Sequence, residues 1–278
     1  IREVVLKKIC LVVMSLSVIC FFVGDIGYSQ IAGNPSSNLV LESGDYNGDG
    51  VGDIAVFRSS QGLWAVREYT RWYFGQPGDL PASGDYDGDG TTDAAIYRDS
   101  IGLWAIKGLS RIYFGDTDDI PIPADYDGDG LVDLGIFRQA GGLWAIQQVT
   151  RAYFGGTADL PIPGDYSGDG SAEIGIFRPA DGLWAISGVS RAYFGVAGDI
   201  PVGSQNGEIG IFRSSTGLWA SQEYDRIYFG GTNDFPMLVD FGMEITLPTI
   251  FRPATGLWAV YQGTRIYFGG EGDLPLSR

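Results

Sequence analysis

The chain has 278 residues, of which 43 are glycine and 13% are aromatic, so it is too apolar and too aromatic to be disordered. It contains no histidine, which excludes Ser-His-Asp and Cys-His catalysis, histidine-ligated zinc or haem, and an imidazole pH switch. The formal net charge is −16, a field that repels nucleic-acid phosphates and anionic lipid headgroups and attracts cations.

The N-terminal segment has the pattern of a secretory signal peptide. Three basic residues come before an apolar run at 9–23, and Gly27-Tyr28-Ser29 offers a small-x-small cleavage site before Gln30. The apolar run is shorter than the roughly 20 residues that span a bilayer as a helix. We therefore expect a signal peptide at 1–29, a single six-repeat domain at 30–278, and secretion to the cell surface, the periplasm or the medium. An uncleaved membrane anchor is the alternative.

Both cysteines, Cys10 and Cys20, lie in this predicted leader. An exported chain without disulfides must draw its stability from the size of its core or from bound metal.

The remainder of the chain is built from repeats. Gly-Leu-Trp-Ala occurs six times at intervals of 35 to 40 residues; an aromatic-Arg pair precedes each copy, and Arg-x-Tyr-Phe-Gly follows it. The six tryptophans are Trp64, Trp104, Trp144, Trp184, Trp219 and Trp258. A tryptophan between leucine and alanine in each repeat favours a place in the core between repeats over a sugar-stacking platform. Trp72, which lies outside the pattern, is expected in an exposed patch or at a single contact.

The second repeat shows the predicted strands, at 80–85, 93–98, 103–107 and 111–115, separated by turns rich in Gly, Asp and Ser. No segment keeps a 3.6-residue apolar period, so helix content outside the leader should be close to zero. Four strands in about 40 residues predict an all-β fold, a six-bladed β-propeller of four-stranded blades. A seven-bladed ring or an open array is the alternative if the chain is a fragment.

Ring closure has three possible forms in the sequence. Residues 38–44 supply a first strand for blade one, and 273–277 repeat that strand after blade six. The terminal strand could pair with blade one as a clasp, hang free, or open a missing seventh blade.

Acidic loops come before the second strand in the first four repeats. Oxygen-bearing side chains recur at loop positions 1, 3, 5 and 9, glycines let the chain curl, and position 7 offers a backbone carbonyl, a set suited to Ca²⁺. The predicted ligands are Asp45, Asn47, Asp49, Val51, Asp53, Asp85, Asp87, Asp89, Thr91, Asp93, Asp125, Asp127, Asp129, Leu131, Asp133, Asp165, Ser167, Asp169, Ser171 and Glu173. About four ions are expected, each clipping one hairpin. The competing interpretation is a plain Asp-Gly turn.

Position 12 distinguishes these loops from EF-hands, because it holds Val56, Ile96, Ile136 or Ile176 instead of an acid, and strand follows instead of helix. The Asp-x-Asp-x-Asp-Gly-x-x-Asp loops, with a Phe-Gly element in each repeat, resemble FG-GAP/VCBS repeats over about residues 38–277. The resemblance implies an integrin-α-like, calcium-binding propeller that serves adhesion or carbohydrate and protein recognition, or accompanies an enzyme. Six repeats instead of seven, and the loss of the loop in repeats five and six, depart from that pattern.

The repeated arginines have two interpretations. Arginines such as Arg58 and Arg71 are expected to pair with recurring aspartates or to stack on aromatic rings. The alternative is a set of arginine-aromatic pockets that hold a sugar or a carboxylate. The recurring aspartates are Asp79, Asp119, Asp159, Asp199, Asp234 and Asp273.

Near-identical repeats argue against an active site, which needs one place that differs from the others, and no carboxylate pair stands apart from the repeats. We expect a noncatalytic recognition or adhesion module, monomeric, with an extracellular glycan or protein as partner, no nucleic acid, and no membrane insertion after signal cleavage. The alternatives are a multivalent lectin, a carboxylate-based glycan-active enzyme, and a passive spacer.

Overall fold

The protein is a six-bladed β-propeller in which each blade is a four-stranded antiparallel sheet, as the repeats predicted. A computed structural model describes residues 28–30, 38–40, 44–203, 207, 209–221, 226–240 and 246–276. The predicted signal peptide lies outside these ranges except for its last two residues. Within them the one helical element is a single 3-10 turn, Asp99–Ile101, as expected from the absence of helical periodicity.

The strands follow the chain, with one exception in blade one. A separate N-terminal hairpin has the strands β1 Tyr28–Gln30 and β2 Asn38–Val40. Blade one contains β3 Ala55–Arg58, β4 Leu63–Val66 and β5 Thr70–Tyr73. Blade two contains β6 Leu80–Pro81, β7 Ala95–Arg98, β8 Leu103–Ile106 and β9 Ser110–Tyr113. Blade three contains β10 Ile120–Pro121, β11 Gly135–Arg138, β12 Leu143–Ile146 and β13 Thr150–Tyr153.

The last three blades use the same order. Blade four contains β14 Leu160–Pro161, β15 Gly175–Arg178, β16 Leu183–Ile186 and β17 Ser190–Tyr193. Blade five contains β18 Ile200–Gly203, β19 Ile209–Arg213, β20 Leu218–Ser221 and β21 Ile227–Tyr228. Blade six contains β22 Phe235–Asp240, β23 Thr246–Arg252, β24 Leu257–Val260 and β25 Arg265–Tyr267. A last strand, β26 Asp273–Pro275, follows.

The core lies between blades. Side chains alternate between the two faces of each sheet, so Phe137 and Trp144, paired across β11 and β12, point to one face, and both are fully buried. They pack against Ile176 and Ala185 of blade four. The Trp144 indole N–H donates to the Phe154 carbonyl at 3.1 Å, so the ring is both buried and satisfied. The repeated tryptophans are therefore inter-blade core, as predicted.

The terminal strand closes the ring as a clasp. β26 pairs antiparallel with β3, placing Leu274 opposite Phe57, and takes the innermost place in blade one. The prediction that 38–44 supplies this strand is wrong, because β2 pairs with β1 instead. An aspartate stands at the start of each inner strand or directly before it, and in blade one Asp273 supplies the carboxylate that Arg58 requires.

The N-terminal hairpin lies at the centre of the ring. β1 approaches the inner strands β26 and β6, and β2 approaches β14, β18 and β22, so five of the six blades contact it through their inner strands. The expected cleavage point, between Ser29 and Gln30, falls within β1.

Two of the repeated glycines are explained by close backbone approach. At Gly62 φ is +61°, and a Cβ there would lie 2.7 Å from the Gly75 carbonyl oxygen. Gly75 has φ of +102° and lies against the Asp79 carboxylate. Both positions favour glycine because other residues rarely adopt positive φ and would collide with the neighbouring backbone or side chain. These contacts join the Gly-Leu-Trp-Ala element of a blade to its Phe-Gly element.

Candidate metal loops

Each acidic loop is folded around its first aspartate. In blade two, the Asp85 carboxylate accepts hydrogen bonds from the Gly88 N–H at 2.7 Å and the Gly90 N–H at 3.0 Å. Both glycines have positive φ, which turns their N–H groups inward. The loops of the other three blades repeat these two bonds within 0.2 Å. The sequence pattern thus produces one loop shape four times.

Carboxylate oxygens converge in three of the loops. One oxygen from each of three residues lies within 4.8 Å of the other two, in the groups Asp85–Asp87–Asp93, Asp125–Asp127–Asp133 and Asp165–Asp169–Glu173. Oxygens bound to one Ca²⁺ at 2.3–2.6 Å can be at most about 5 Å apart, so this spacing fits a shared ion. These acidic groups could therefore hold a metal.

The first loop differs at position 3. Asn47 donates from its side-chain amide to Asp53 at 2.7 Å, and its oxygen accepts the Asp49 N–H at 2.9 Å. A neutral amide replaces one carboxylate, so this loop offers one negative charge fewer than the loop of blade two.

Position 5 contributes differently from loop to loop. The Asp89 carboxylate accepts the Thr91 N–H at 2.8 Å and its hydroxyl at 2.6 Å, and these bonds lower the pKa of Asp89. It lies outside the three-oxygen group of its loop, whereas Asp169 belongs to the group in blade four, where Ser167 stands at position 3. In all four loops the backbone N–H of the position-7 residue donates a hydrogen bond to the carboxylate of the position-5 aspartate.

Position 9 carries an aspartate whose pKa is raised by burial in the first three loops. Burial raises the pKa of Asp53 to about 6, hydrogen bonds from Tyr46 and Asn47 oppose the rise, and the charges of Asp45 and Asp49 add to it. Burial likewise raises the pKa values of Asp93 and Asp133. These carboxylates face other negative charges in a partly desolvated place, a situation that a bound cation would relieve.

Neighbouring loops are joined to one another. The backbone carbonyl of position 1 accepts a hydrogen bond from the position-8 N–H of the following blade: Thr92 to Asp45 at 2.6 Å, Val132 to Asp85 at 2.9 Å, and Ala172 to Asp125 at 2.7 Å. Backbone hydrogen bonds between the loops thus connect neighbouring hairpins, while one calcium ion for each hairpin stays a prediction. The four loops form a continuous row along one rim of the ring.

Blades five and six lack the acidic loop, and their first two strands pair over more positions than those of blades two to four. Gly207 lies against blade four, since a Cβ there would be 2.9 Å from the Tyr166 Cα and 3.2 Å from the Asp165 carbonyl oxygen. Gly207 thus lies near the Asp165 carbonyl, and in the three preceding loops the equivalent position-1 carbonyl accepts the hydrogen bond from the following blade. In blade six, β22 and β23 pair over six positions instead of two.

The second-strand arginines pair as predicted. Each guanidinium holds the aspartate at the start of, or directly before, the inner strand of its own blade with two hydrogen bonds of 2.6–2.9 Å. The pairs are Arg58–Asp273, Arg98–Asp79, Arg138–Asp119, Arg178–Asp159, Arg213–Asp199 and Arg252–Asp234.

The other repeated arginines do not follow that prediction. Those of the outer strands, such as Arg71, are exposed, and within the described ranges they have neither an ion pair nor a cation-π contact. Their side chains stand on the last strand of the blade, beyond reach of the buried aspartates on the first.

Trp72 is a packing residue. Its ring stacks on Trp64 with centroids 6.2 Å apart and an interplanar angle of 8°, and the Lys107 ammonium of the adjacent blade two lies 5.5 Å from its centroid. It therefore fills the groove between blades one and two and is not an exposed patch.

No protein-family model and no curated protein matches the chain, so the resemblance to FG-GAP/VCBS repeats stays a prediction from the loop pattern. A search of the described residues finds no helix of the length and apolarity that a bilayer crossing requires.

Proposed function

We propose that the protein is a secreted, calcium-binding propeller that acts as a noncatalytic recognition or adhesion module for extracellular glycans or surface proteins. The row of four like acidic loops, hydrogen-bonded from blade to blade along one rim, is the observation that carries the proposal. Repeated equivalent positions suit multivalent recognition, whereas catalysis needs one position that differs.

Calcium suits these loops better than magnesium. Ca²⁺ accepts six to eight oxygens in an adaptable geometry, while Mg²⁺ requires a near-ideal octahedron and keeps several waters. The ligands would be the side chains at positions 1, 3, 5 and 9 and the carbonyls of Val51, Thr91, Leu131 and Ser171. Exposed loops of this kind match the weak calcium sites of extracellular modules, which agrees with the predicted secretion.

Calcium would stabilise the ring by neutralising crowded carboxylates and by fixing the loops that connect neighbouring blades. We expect calorimetric titration of the purified chain to give about four sites, and the melting temperature in calcium to exceed that in EDTA by more than 5 °C. Asp93→Asn should remove one site. Asp118→Asn, which makes the same charge change at an exposed position outside the loops, should retain four. Equal melting temperatures and no heat of binding would overturn the metal assignment.

Recognition and catalysis are separated by a second pair of assays. Binding to a glycan array or to a surface protein in calcium, without release of reducing sugar, would support the noncatalytic function. Turnover that is lost on changing a single acid would overturn it in favour of a glycan-active enzyme.

A further inference from the structure

The outer strand of every blade exposes an arginine and a tyrosine on one face. The two stand two residues apart, so both project from the same side of the strand. The tyrosines are 69–78% exposed. We call these residues the outer belt: Arg71 and Tyr73, Arg111 and Tyr113, Arg151 and Tyr153, Arg191 and Tyr193, Arg226 and Tyr228, and Arg265 and Tyr267.

The repeats vary at the half-buried position between these two residues and not at the exposed ones. That position holds tryptophan, isoleucine or alanine, while the arginine and the tyrosine occur in six blades of six, including the two that lack an acidic loop. Packing restricts buried positions more than exposed ones, so the opposite pattern here requires a cause outside the core. The repeated Trp, Phe, Gly and Asp all have packing or hydrogen-bonding roles.

A second, fixed guanidinium lies in the same cross-strand row as each tyrosine. Arg58, Leu63 and Tyr73 occupy one cross-strand row, and the Arg58 side chain is 34% exposed although its charge is held by Asp273. Hydrogen bonding to Asp273 raises the pKa of Arg58, and the nearby Tyr73 adds to the rise. The same neighbour relation recurs at Arg98, Arg178, Arg213 and Arg252. Each blade thus presents an exposed aromatic ring that shares a cross-strand row with a rigid arginine and stands two residues from an exposed one.

Protection of the sheet edges against association explains the exposed arginines but not the exposed tyrosines. The outer strands are unpaired sheet edges, and charged side chains on an edge discourage association with other chains. A tyrosine more than two-thirds exposed does the opposite, because it adds apolar area to that edge. The described outer strands also contain no acidic residue that would neutralise the arginines locally.

We propose that the outer belt binds an anionic polysaccharide, with each tyrosine ring stacked on a sugar ring and the adjacent arginine paired with a carboxylate or sulfate group. Guanidinium matches the planar geometry of these anions, and aromatic rings supply the apolar face that a pyranose needs. Six equivalent positions on one ring raise the avidity for a polymer that contacts several of them. This proposal rests on the recognition function and names its surface and ligand class.

Binding should be measured by biolayer interferometry on the full chain in calcium, with immobilised hyaluronan as the carboxylate polymer, dextran sulfate as the sulfate polymer and dextran as the neutral one. We expect binding to at least one anionic polymer and none to dextran. Arg111→Gln with Arg151→Gln should weaken binding at least tenfold and reduce its salt dependence. Tyr113→Ser with Tyr153→Ser should weaken it similarly without a change in charge, which separates stacking from simple attraction.

Arg67→Gln with Lys107→Gln is the matched control, because it removes the same two charges away from the belt. All three double variants should melt within about 2 °C of the parent. Equal weakening in the arginine double variant and the control, or tighter binding to anionic vesicles or single-stranded DNA than to either polymer, would overturn the proposal. Binding to neutral glycans alone would overturn it and leave the recognition function standing. Absence of binding to any glycan or surface protein would refute both.

Discussion

The clasp between Arg58 and Asp273 should decide whether the ring stays closed. Asp273→Ala removes a carboxylate that is 2% exposed and that accepts bonds from the Arg58 guanidinium at 2.6 and 2.9 Å and from the Gly270 N–H at 2.9 Å. Hydrogen bonds to charged groups contribute about 1.5–3 kcal/mol. Arg58 regains water in the variant, so we expect a loss of about 2–3 kcal/mol, which is less than the three bonds would contribute together. In a domain of this size that lowers the melting temperature by roughly 5–10 °C.

Asp119→Ala is the matched control, because Asp119 makes the equivalent bonds to Arg138 at 2.6 and 2.8 Å and to the Asp116 N–H at 2.8 Å. Its strand β10 is joined to its partner β11 by the acidic loop between them, whereas Asp273 of β26 and Arg58 of β3 are 215 residues apart in the sequence, so side chains and strand pairing hold β26 in place. Both variants should melt lower than the parent by a similar amount. Asp273→Ala should also release β26 and admit proteinase K at 269–272, which mass spectrometry would detect.

Two results would refute this reasoning. An unchanged melting temperature would mean that the buried pair adds nothing to the fold. Identical proteolysis of the Asp273 and Asp119 variants would mean that β26 is not the weakest point of the ring.

Other changes test the core, the backbone and the loops. Trp144→Ala should cost about 3–5 kcal/mol through the cavity left between blades three and four, measured by denaturant unfolding; a cost below about 1 kcal/mol would contradict the inter-blade packing. Gly142→Ala should destabilise the protein because its Cβ would overlap the Gly155 carbonyl at positive φ, while Gly156→Ala, with open space around it, should change the melting temperature by less than about 2 °C. Burial raises the pKa of Asp53 from its ordinary value near 3.8 to about 6 in the fold, so the metal-free protein should lose stability as pH rises between these values and carry the full penalty above them. Its melting temperature in EDTA should therefore be higher at pH 5 than at pH 7, and Asp53→Asn should reduce that difference; an equal difference in parent and variant would exclude Asp53 as its source.

Much of the fold could be predicted because each sequence repeat contains the short-range interactions that form its strands and turns. Short β-rich runs such as 55–58 and 63–66, and turns such as Asp89-Gly90, specify strands and hairpins from neighbours within about ten residues. A period of about 40 residues with four strands then specifies the blade, and the acidic spacing predicts where loop oxygens converge.

Ring closure depended on the tertiary structure. Two segments, 38–44 and 273–277, could equally begin blade one, and only the curvature of the stacked blades brings β26 beside β3. The two segments have similar sequences, so sequence alone cannot decide which of them pairs with β3.

The roles of the arginines and of the acidic loops were likewise decided in three dimensions. Arg58 and Arg71 have the same side chain, yet the first meets Asp273 on the inner strand and the second, on the outer strand, faces solvent. The bond from Thr92 to the Asp45 carbonyl joins loops about 40 residues apart. Sequence determined the repeating unit because its interactions are local; the tertiary structure determined pairing, closure and exposure because they depend on how units curve around a common axis.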